Sequence, residues 1–265
     1  MDDQGLGEIF FQVHCDLERE GPGSDSSTER ALEVALAHLG ELPRPVVVDM
    51  ACGPGAQSLV LARKLPGARI TAVDLHAPFL KQLEVRLGEL EDDALCAEDV
   101  RTVCADMKTW TPDDLVDLIW CEGAAYIMGV DRALERWRPW LSPGGIVALT
   151  EAVWLTESPH SDSVEMWEEY PAMRDIEGCL ALFEEKGFQP LGSFVLPSSD
   201  WLEHYYNPME QRIQALRARF TEEGNASALA ELALHQREID VYRAHGEDYG
   251  YLFVIAEKSD GWRGA

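Results

Sequence analysis

The chain has 265 residues, and its 48 Asp plus Glu outweigh 22 Lys plus Arg to give a formal net charge of −26. Nucleic-acid backbones and anionic membrane surfaces are both held largely by Lys and Arg. A chain so short of cations, with no Lys/Arg cluster, is expected to bind neither. Only Lys64, Lys81, Lys108, Lys186 and Lys258 are lysines, a bias that fits either a salt-rich cytoplasm or a high-GC genome. The 46% apolar content is ordinary for a globular protein, and no apolar run nears the ~20 residues that span a bilayer. The start, Met1-Asp2-Asp3-Gln4, lacks the basic and apolar regions of a signal peptide, so a cytoplasmic location is expected. Cys15, Cys52, Cys96, Cys104, Cys121 and Cys179 form no CxxC pair and read as reduced thiols.

In chain order, Phe10, Phe11 and Val13 suggest a short apolar helical face, broken by Gly21-Pro22-Gly23-Ser24. A helix through Ala31, Val34, Ala35 and Leu39 follows, with Ser26, Ser27 or Thr28 as its candidate cap. Strands and helices then alternate. Val46-Val47-Val48, Ile70 to Val73, Val100 to Ala105, Leu115 to Cys121 and Ile146 to Val153 read as strands. The helices between them include Ala133 to Leu141, stopped by Ser142-Pro143-Gly144-Gly145. Continuous apolar strands between helices imply a parallel sheet covered on both faces, a doubly wound α/β fold. Phe188 to Leu196 reads as a sixth strand and Tyr251 to Ala256 as the last. The mostly helical Pro197 to Gly246 lies between them, a candidate lid. The expected organisation is a helical lead-in and cofactor cover over 1–45, a Rossmann-like core over 46–196, a helical lid over 197–247, a final core strand over 248–258 and a tail over 259–265.

The strongest chemical signal is Val48-Asp49-Met50-Ala51-Cys52-Gly53-Pro54-Gly55. A strand delivers an acid, and small residues then turn tightly into a helix, leaving backbone open to a ligand. The order is Asp-x-Ala-x-Gly-x-Gly, not the GxGxxG of nicotinamide enzymes. Asp74 ends the second strand, where a carboxylate can accept hydrogen bonds from both hydroxyls of a ribose or simply cap the next helix. Asp106 follows the third strand, where an acid can hold an adenine amino group, and Glu122 follows the fourth. All fall at strand carboxyl ends, where open α/β sheets bind ligands.

These residues resemble the class I S-adenosylmethionine-dependent methyltransferases. Asp49, Gly53, Gly55, Asp74, Asp106 and Pro143-Gly144-Gly145 match the family pattern in order and spacing, with Ala51 in place of its first glycine. More narrowly, the chain is similar to a group of small bacterial methyltransferases of poorly defined substrate. There the matching stretches are Gly21-Pro22-Gly23-Ser24, Trp120 to Ala124, Trp154, Tyr170-Pro171 and Trp201 to Tyr205. The resemblance implies a seven-stranded, mostly parallel sheet whose last strand runs antiparallel beside the fifth, and S-adenosyl-L-methionine as cofactor. It implies that Ala51, Gly53 and Gly55 pack against the methionine part, with Asp49 ordering the loop and approaching the cofactor's amino group through water. Asp74 would hold the ribose with Leu75 against the adenine, Asp106 and Met107 would flank the ring, and Gly23 would belong to a cover. Glu122 would sit near the transferred methyl.

On the acceptor side, Glu122, His204 and Tyr126 are candidate catalytic groups, Glu122 either as a base or as a loop-ordering carboxylate. Glu151, Trp154, Tyr170, Trp201 and Tyr205 are candidate substrate contacts, with packing between lid and sheet as the competing role of the aromatics. No HxxxH or Cys/His pairing appears, and no metal site is expected. The leading expectation is methyl transfer to a small, neutral or cationic molecule by a monomer or homodimer. Methylation of a protein side chain and a non-catalytic S-adenosylmethionine-binding module remain as alternatives.

Overall fold

The structure is a computed structural model that describes residues 8–15, 17–40, 42–90 and 99–261. Cys96 and the extreme N-terminus fall outside the described residues. Two helices lead in, α1 (Glu8–His14) and α2 (Asp25–Leu39). The cap of α2 is Ser24, two residues before the first expected candidate. Its backbone is extended and its hydroxyl accepts the Ser27 N–H at 3.2 Å.

There follow β1 (Val46–Met50), α3 (Ala56–Lys64), β2 (Arg69–Asp74), α4 (Ala77–Gly88), β3 (Asp99–Cys104), β4 (Val116–Cys121), α5 (Val130–Trp137) and β5 (Leu141–Trp154). The later elements are α6 (Ser161–Met166), β6 (Arg174–Asp175), α7 (Ile176–Glu185), β7 (Phe188–Val195), α8 (Ser198–Trp201), α9 (Asn207–Glu223), α10 (Ala226–His245) and β8 (Tyr249–Lys258). Strand order across the sheet is β3-β2-β1-β4-β5-β8-β7, and β6 adds a two-residue pairing to β5. Strands β1 to β5 pair in parallel, and β8 runs antiparallel between β5 and β7.

Neighbouring residues of a strand point to opposite faces. Val47, Leu118, Ile146 and Ile255 therefore pack with α2 and α3, while Val48, Ile119, Val147 and Val254 pack with α5 and α7. Both faces being buried explains why these strands read as unbroken apolar runs. Two local expectations change. The helix expected to reach Leu141 ends at Trp137, and Pro139 lies in a tighter 3-10 turn over Arg138–Trp140. Ser142 to Gly145 does not precede β5 but bulges within it, between the pairs Val116–Leu141 and Leu118–Ile146. Sequence reasoning also missed β6, which is too short to carry a periodicity.

Between β7 and β8, α8 runs through a π-helical turn over Leu202–Tyr206 into the antiparallel pair α9 and α10. Their apolar faces form a third core with α1, through Val13, Trp201, Tyr206, Met209, Ile213, Leu232 and Tyr242. None of the described helices is long and apolar enough to cross a membrane.

Candidate functional site

The strand order reverses between β1 and β4, and a cavity of about 320 Å³ opens at the carboxyl ends beside that point. The loop after β1 forms its floor. Gly53 and Gly55 hold left-handed backbone with φ of +55° and +86°. A side chain at Gly55 would run into Leu83 of α4, so the start of α3 packs closely against α4. Ala51 shares the unusual geometry at φ +55°, the only non-glycine among the described residues to do so. The alanine replacing a glycine is therefore a strained substitution.

Asp49 is fully buried beneath this loop and does not line the cavity. Ser58 Oγ donates to its carboxylate and Gln57 Nε2 donates at 3.3 Å, which fixes the start of α3. Burial pushes its carboxyl up to about 7 against those two hydrogen bonds. Asp74 does line the cavity. Its Oδ2 accepts the Gly53 N–H and its Oδ1 the His76 N–H, both at 2.8 Å, so it orders the loop after β1 and the start of α4 together. Asp106 accepts the Lys108 N–H at 2.8 Å. Asp106, Met107, Leu75 and Ala51 share the wall.

Glu122 is the most heavily bonded of these acids. Its Oε2 accepts from Arg19 Nη1 at 2.9 Å, and its Oε1 accepts from Thr28 Oγ1 at 2.7 Å and Trp120 Nε1 at 2.8 Å. Arg19 in turn donates from Nη2 to Asp25 at 2.9 Å. Both carboxylate oxygens are thus engaged inside a buried ion pair, an arrangement that fixes the geometry of the carboxylate.

The lead-in closes the cavity from above. Phe10, Phe11, Arg19, Glu20, Gly21 and Pro22 line it. Phe11 stacks on His76 with ring centroids 4.2 Å apart, and Phe79 meets the same ring edge-on. Gly23 lies just behind the wall, where a Cβ would sit 3.2 Å from Glu122 Oε2. Sequence reasoning expects a cover from this lead-in and a helical face at Phe10 and Phe11, but it does not single out Arg19 or Glu20. The breaker Gly21-Pro22 next to them was its one signal.

The proposed acceptor residues separate into two groups. Tyr126 stands at the cavity mouth, and burial raises its hydroxyl above the usual range. Glu151, Trp154, Tyr170, Trp201, Tyr205 and His204 do not line the cavity. Trp201 stacks on Tyr242 at 4.5 Å and 12°, and Tyr205 is buried against Tyr206. Trp154 meets Tyr249 edge-on. These rings join α8 to α10 to the sheet, the packing role left open for them. Behind Tyr126, the ring of Tyr170 lies edge-on at 5.9 Å, and its hydroxyl donates to Glu151 at 2.5 Å. Burial pushes Glu151 up to about 7. His204 is exposed on the π-helical turn. Elsewhere His160, Asp162 and His245 bring ligand atoms within 4.8 Å of one another. The two rings stack in parallel at 4.0 Å, so their nitrogen lone pairs do not converge on one ion.

Sheet order, glycine loop and acids define a doubly wound nucleotide-binding type of domain with its cleft at the switch point. Residues 47–145 match the family described as a methyltransferase domain. Over 106 residues the chain is 32% identical to a trans-aconitate 2-methyltransferase of Paracidovorax citrulli, covering 39% of this chain and 37% of that protein. It is 24% identical over 207 residues to a trans-aconitate 2-methyltransferase of Escherichia coli, 75% of each chain. A SAM-dependent methyltransferase from Geobacter sulfurreducens, solved with S-adenosyl-L-homocysteine, has the same fold with a TM-score of 0.78. The identity there is 20%, over 95% of this chain and 98% of that one. The chain spans less than half the length of several curated relatives that it matches. Residues 47–145 thus carry a methyltransferase domain, and the chain shares the fold of S-adenosylmethionine-dependent methyltransferases.

Proposed function

We propose that this chain uses S-adenosylmethionine to methylate a small-molecule acceptor that is neutral or cationic. The observation that carries the reading is the joint between Gly53 and Asp74. The loop that must approach the ligand and the acid that must receive its hydroxyls are held in register by one hydrogen bond of 2.8 Å. The cavity also suits the cofactor's positive charge, because Asp74 and Asp106 line it and its one arginine, Arg19, is paired to Glu122. In this reading Asp74 receives the ribose hydroxyls, while Leu75, Asp106 and Met107 enclose the adenine. Ala51, Gly53 and Gln57 face the methionine part.

When bound, the cofactor supplies an electrophilic methyl on sulfur for a single in-line displacement. The chain's own contribution is alignment and exclusion of water, which supports much of the rate in such a reaction. Phe10, Phe11 and Phe79 make the apolar cover. Tyr126, kept protonated, donates a hydrogen bond that orients the acceptor at the mouth. Glu122 positions Arg19, Thr28 and Trp120 around the reacting end and does not act as the base. The segment 197–247 braces the cover from behind. The protein works in the cytoplasm, as a monomer or homodimer.

The relatives are named for trans-aconitate, a polycarboxylate. The cavity's side-chain cations are Arg19 and Lys108, and Arg19 is already committed to Glu122 and Asp25. A triply negative acceptor would meet the carboxylates of Asp74 and Asp106 there, with Arg19 already paired to Glu122, which disfavours it. Calorimetric titration with S-adenosylmethionine and with NADH tests the cofactor, and binding of NADH alone overturns the reading. Label from methyl-tritiated S-adenosylmethionine, followed into pools of neutral, cationic and polycarboxylate metabolites, tests the acceptor. Transfer to trans-aconitate, or only to protein, would overturn the acceptor class.

A further inference from the structure

We infer that Glu20 is a second carboxyl acceptor for the hydroxyls of the bound ligand, working beside Asp74 from the lead-in segment. The inference rests on the S-adenosylmethionine reading above and adds a residue to it. Glu20 lies over the glycine loop, where its Cγ is 3.2 Å from the position a Cβ on Gly53 would take. Gly53 is the residue whose N–H holds Asp74. The two carboxyls therefore approach the cavity around one glycine, and both line it.

The state of the Glu20 oxygens points to an incoming donor. Oε2 is held by His14 Nδ1 at 2.8 Å. Oε1 is shielded from solvent and has no hydrogen-bond partner among the described residues. A buried oxygen left unmet is costly, and native structures seldom leave one so without a functional reason. Asp74, which ends β2, and His76, which precedes α4, are the ionisable neighbours of Glu20 on this side. Because Glu20 lies against Gly53 and Gly53 holds Asp74, a ligand group that meets Asp74 in this cavity is placed beside Glu20. Asp74 already accepts a backbone N–H on each oxygen. A vicinal diol brings two further donors, and a second acceptor from the opposite side lets both be met with good geometry.

The segment is also held where this role needs it. Arg86 of α4 donates from Nη1 to the carbonyl oxygens of Glu18 at 3.2 Å and Pro54 at 3.0 Å, tying the lead-in to the loop after β1. On the other flank the Gly23 N–H reaches the carbonyl of Asp200 at 3.3 Å. Burial, and then the neighbouring Asp74, push the Glu20 carboxyl up to about 8. Glu20 thus holds a proton near neutrality until a donor arrives to replace it.

The test is calorimetric titration of S-adenosylhomocysteine and its 2′-deoxy and 3′-deoxy analogues into wild type, Glu20→Met and Glu20→Gln. Glu20→Met removes the acceptor at similar length. It is expected to weaken S-adenosylhomocysteine about tenfold and to lose discrimination against one of the two deoxy analogues. Glu20→Gln keeps a carbonyl acceptor and is expected to restore most of the affinity. Equal weakening of all three ligands by Glu20→Met would mean a packing role, and unchanged affinity would mean no role; either overturns the inference. Asp74→Ala separates the two levels. If it weakens binding while Glu20→Met does not, the Glu20 inference alone fails. If wild type does not bind S-adenosylhomocysteine, the cofactor reading and the inference fail together.

Discussion

The carboxyl edge of β1 to β4 and the helical layer of α8 to α10 both bury ionisable groups, but they satisfy them differently. At the sheet edge two of the cavity's acids are held by backbone N–H groups, Asp74 by Gly53 and His76 and Asp106 by Lys108. Asp49, behind the cavity, is held by the side chains of Ser58 and Gln57. In and around the helical layer the acids are taken up by side chains. Tyr206 OH donates to Glu238 at 3.0 Å, and Tyr170 OH donates to Glu151. A backbone donor fixes a carboxylate without filling the space in front of it, because the chain lies behind. A tyrosine or arginine partner occupies that space itself. The same residue type is therefore open to a ligand in one region and closed in the other, and Glu122, with its side-chain donors, belongs with the closed group although it lines the cavity.

The largest effect should come from the closed region. Trp201→Ala removes a ring that is 2% exposed and stacked on Tyr242, and should cost ~3–5 kcal/mol of stability in urea unfolding. Affinity of the remaining folded protein for S-adenosylhomocysteine should change little. A small stability loss with a collapse in affinity would make Trp201 a ligand group and break the comparison. In the open region, Asp74→Ala should lower that affinity at least tenfold, since hydrogen bonds to a charged acceptor contribute ~1.5–3 kcal/mol. An unchanged affinity would remove Asp74 from the ribose. Glu122→Gln is the sharper case. With three donors already on the carboxylate, it should lower cofactor affinity and turnover by similar factors. A fall confined to kcat would return Glu122 to proton transfer.

The same contrast explains what could be read in the sequence. The parallel sheet was legible because both its faces are buried, which demands unbroken runs such as Val46 to Val48. Ala51, Gly53, Asp74, Asp106 and Met107 were legible because each stands at a strand end, where position and backbone geometry are set by neighbours in sequence. Arg19 and Glu20 were not. Arg19 meets Glu122 across 103 positions, and nothing local marks either residue. The aromatics from Trp154 to Tyr206 show the opposite failure. Composition reveals that large rings cluster there but not which way they point, and in the structure they face the helices and not the cavity.

Proton linkage tests the open region without a substitution. In the unliganded site Glu20 is raised to about 8, with Asp74, His76 and His14 facing it. A raised acid is mostly protonated at pH 7, and a ligand hydroxyl that donates to it favours the carboxylate. Binding should then release up to about 0.9 of a proton at pH 7, and affinity should rise as pH climbs toward 8. Titrations in buffers of different ionisation enthalpy measure the release. No exchange would show that Glu20 stays protonated in the complex, and uptake would show that another group gains a proton; either result breaks the linkage to Glu20.

The smallest expected effect concerns the loop itself. Ala51 holds φ at +55°, a conformation costing an L residue roughly 1–2 kcal/mol that glycine avoids. Ala51→Gly removes that strain, but it also frees the unfolded chain, which offsets about 0.4–1 kcal/mol. The methyl packs only partly against the core, so its loss adds little. The balance favours a stabilisation of about 0.5–1 kcal/mol, visible as a higher urea midpoint at constant slope. Because Gly53 and Asp74 lock the loop from its other side, affinity for S-adenosylhomocysteine should stay within about twofold, less than the ~1 kcal/mol of one net hydrogen bond. A stabilised variant that binds several-fold less tightly would instead mean that the alanine methyl touches the ligand. The strain at this position would then serve binding, and the loop would be held by its side chains as well as its backbone.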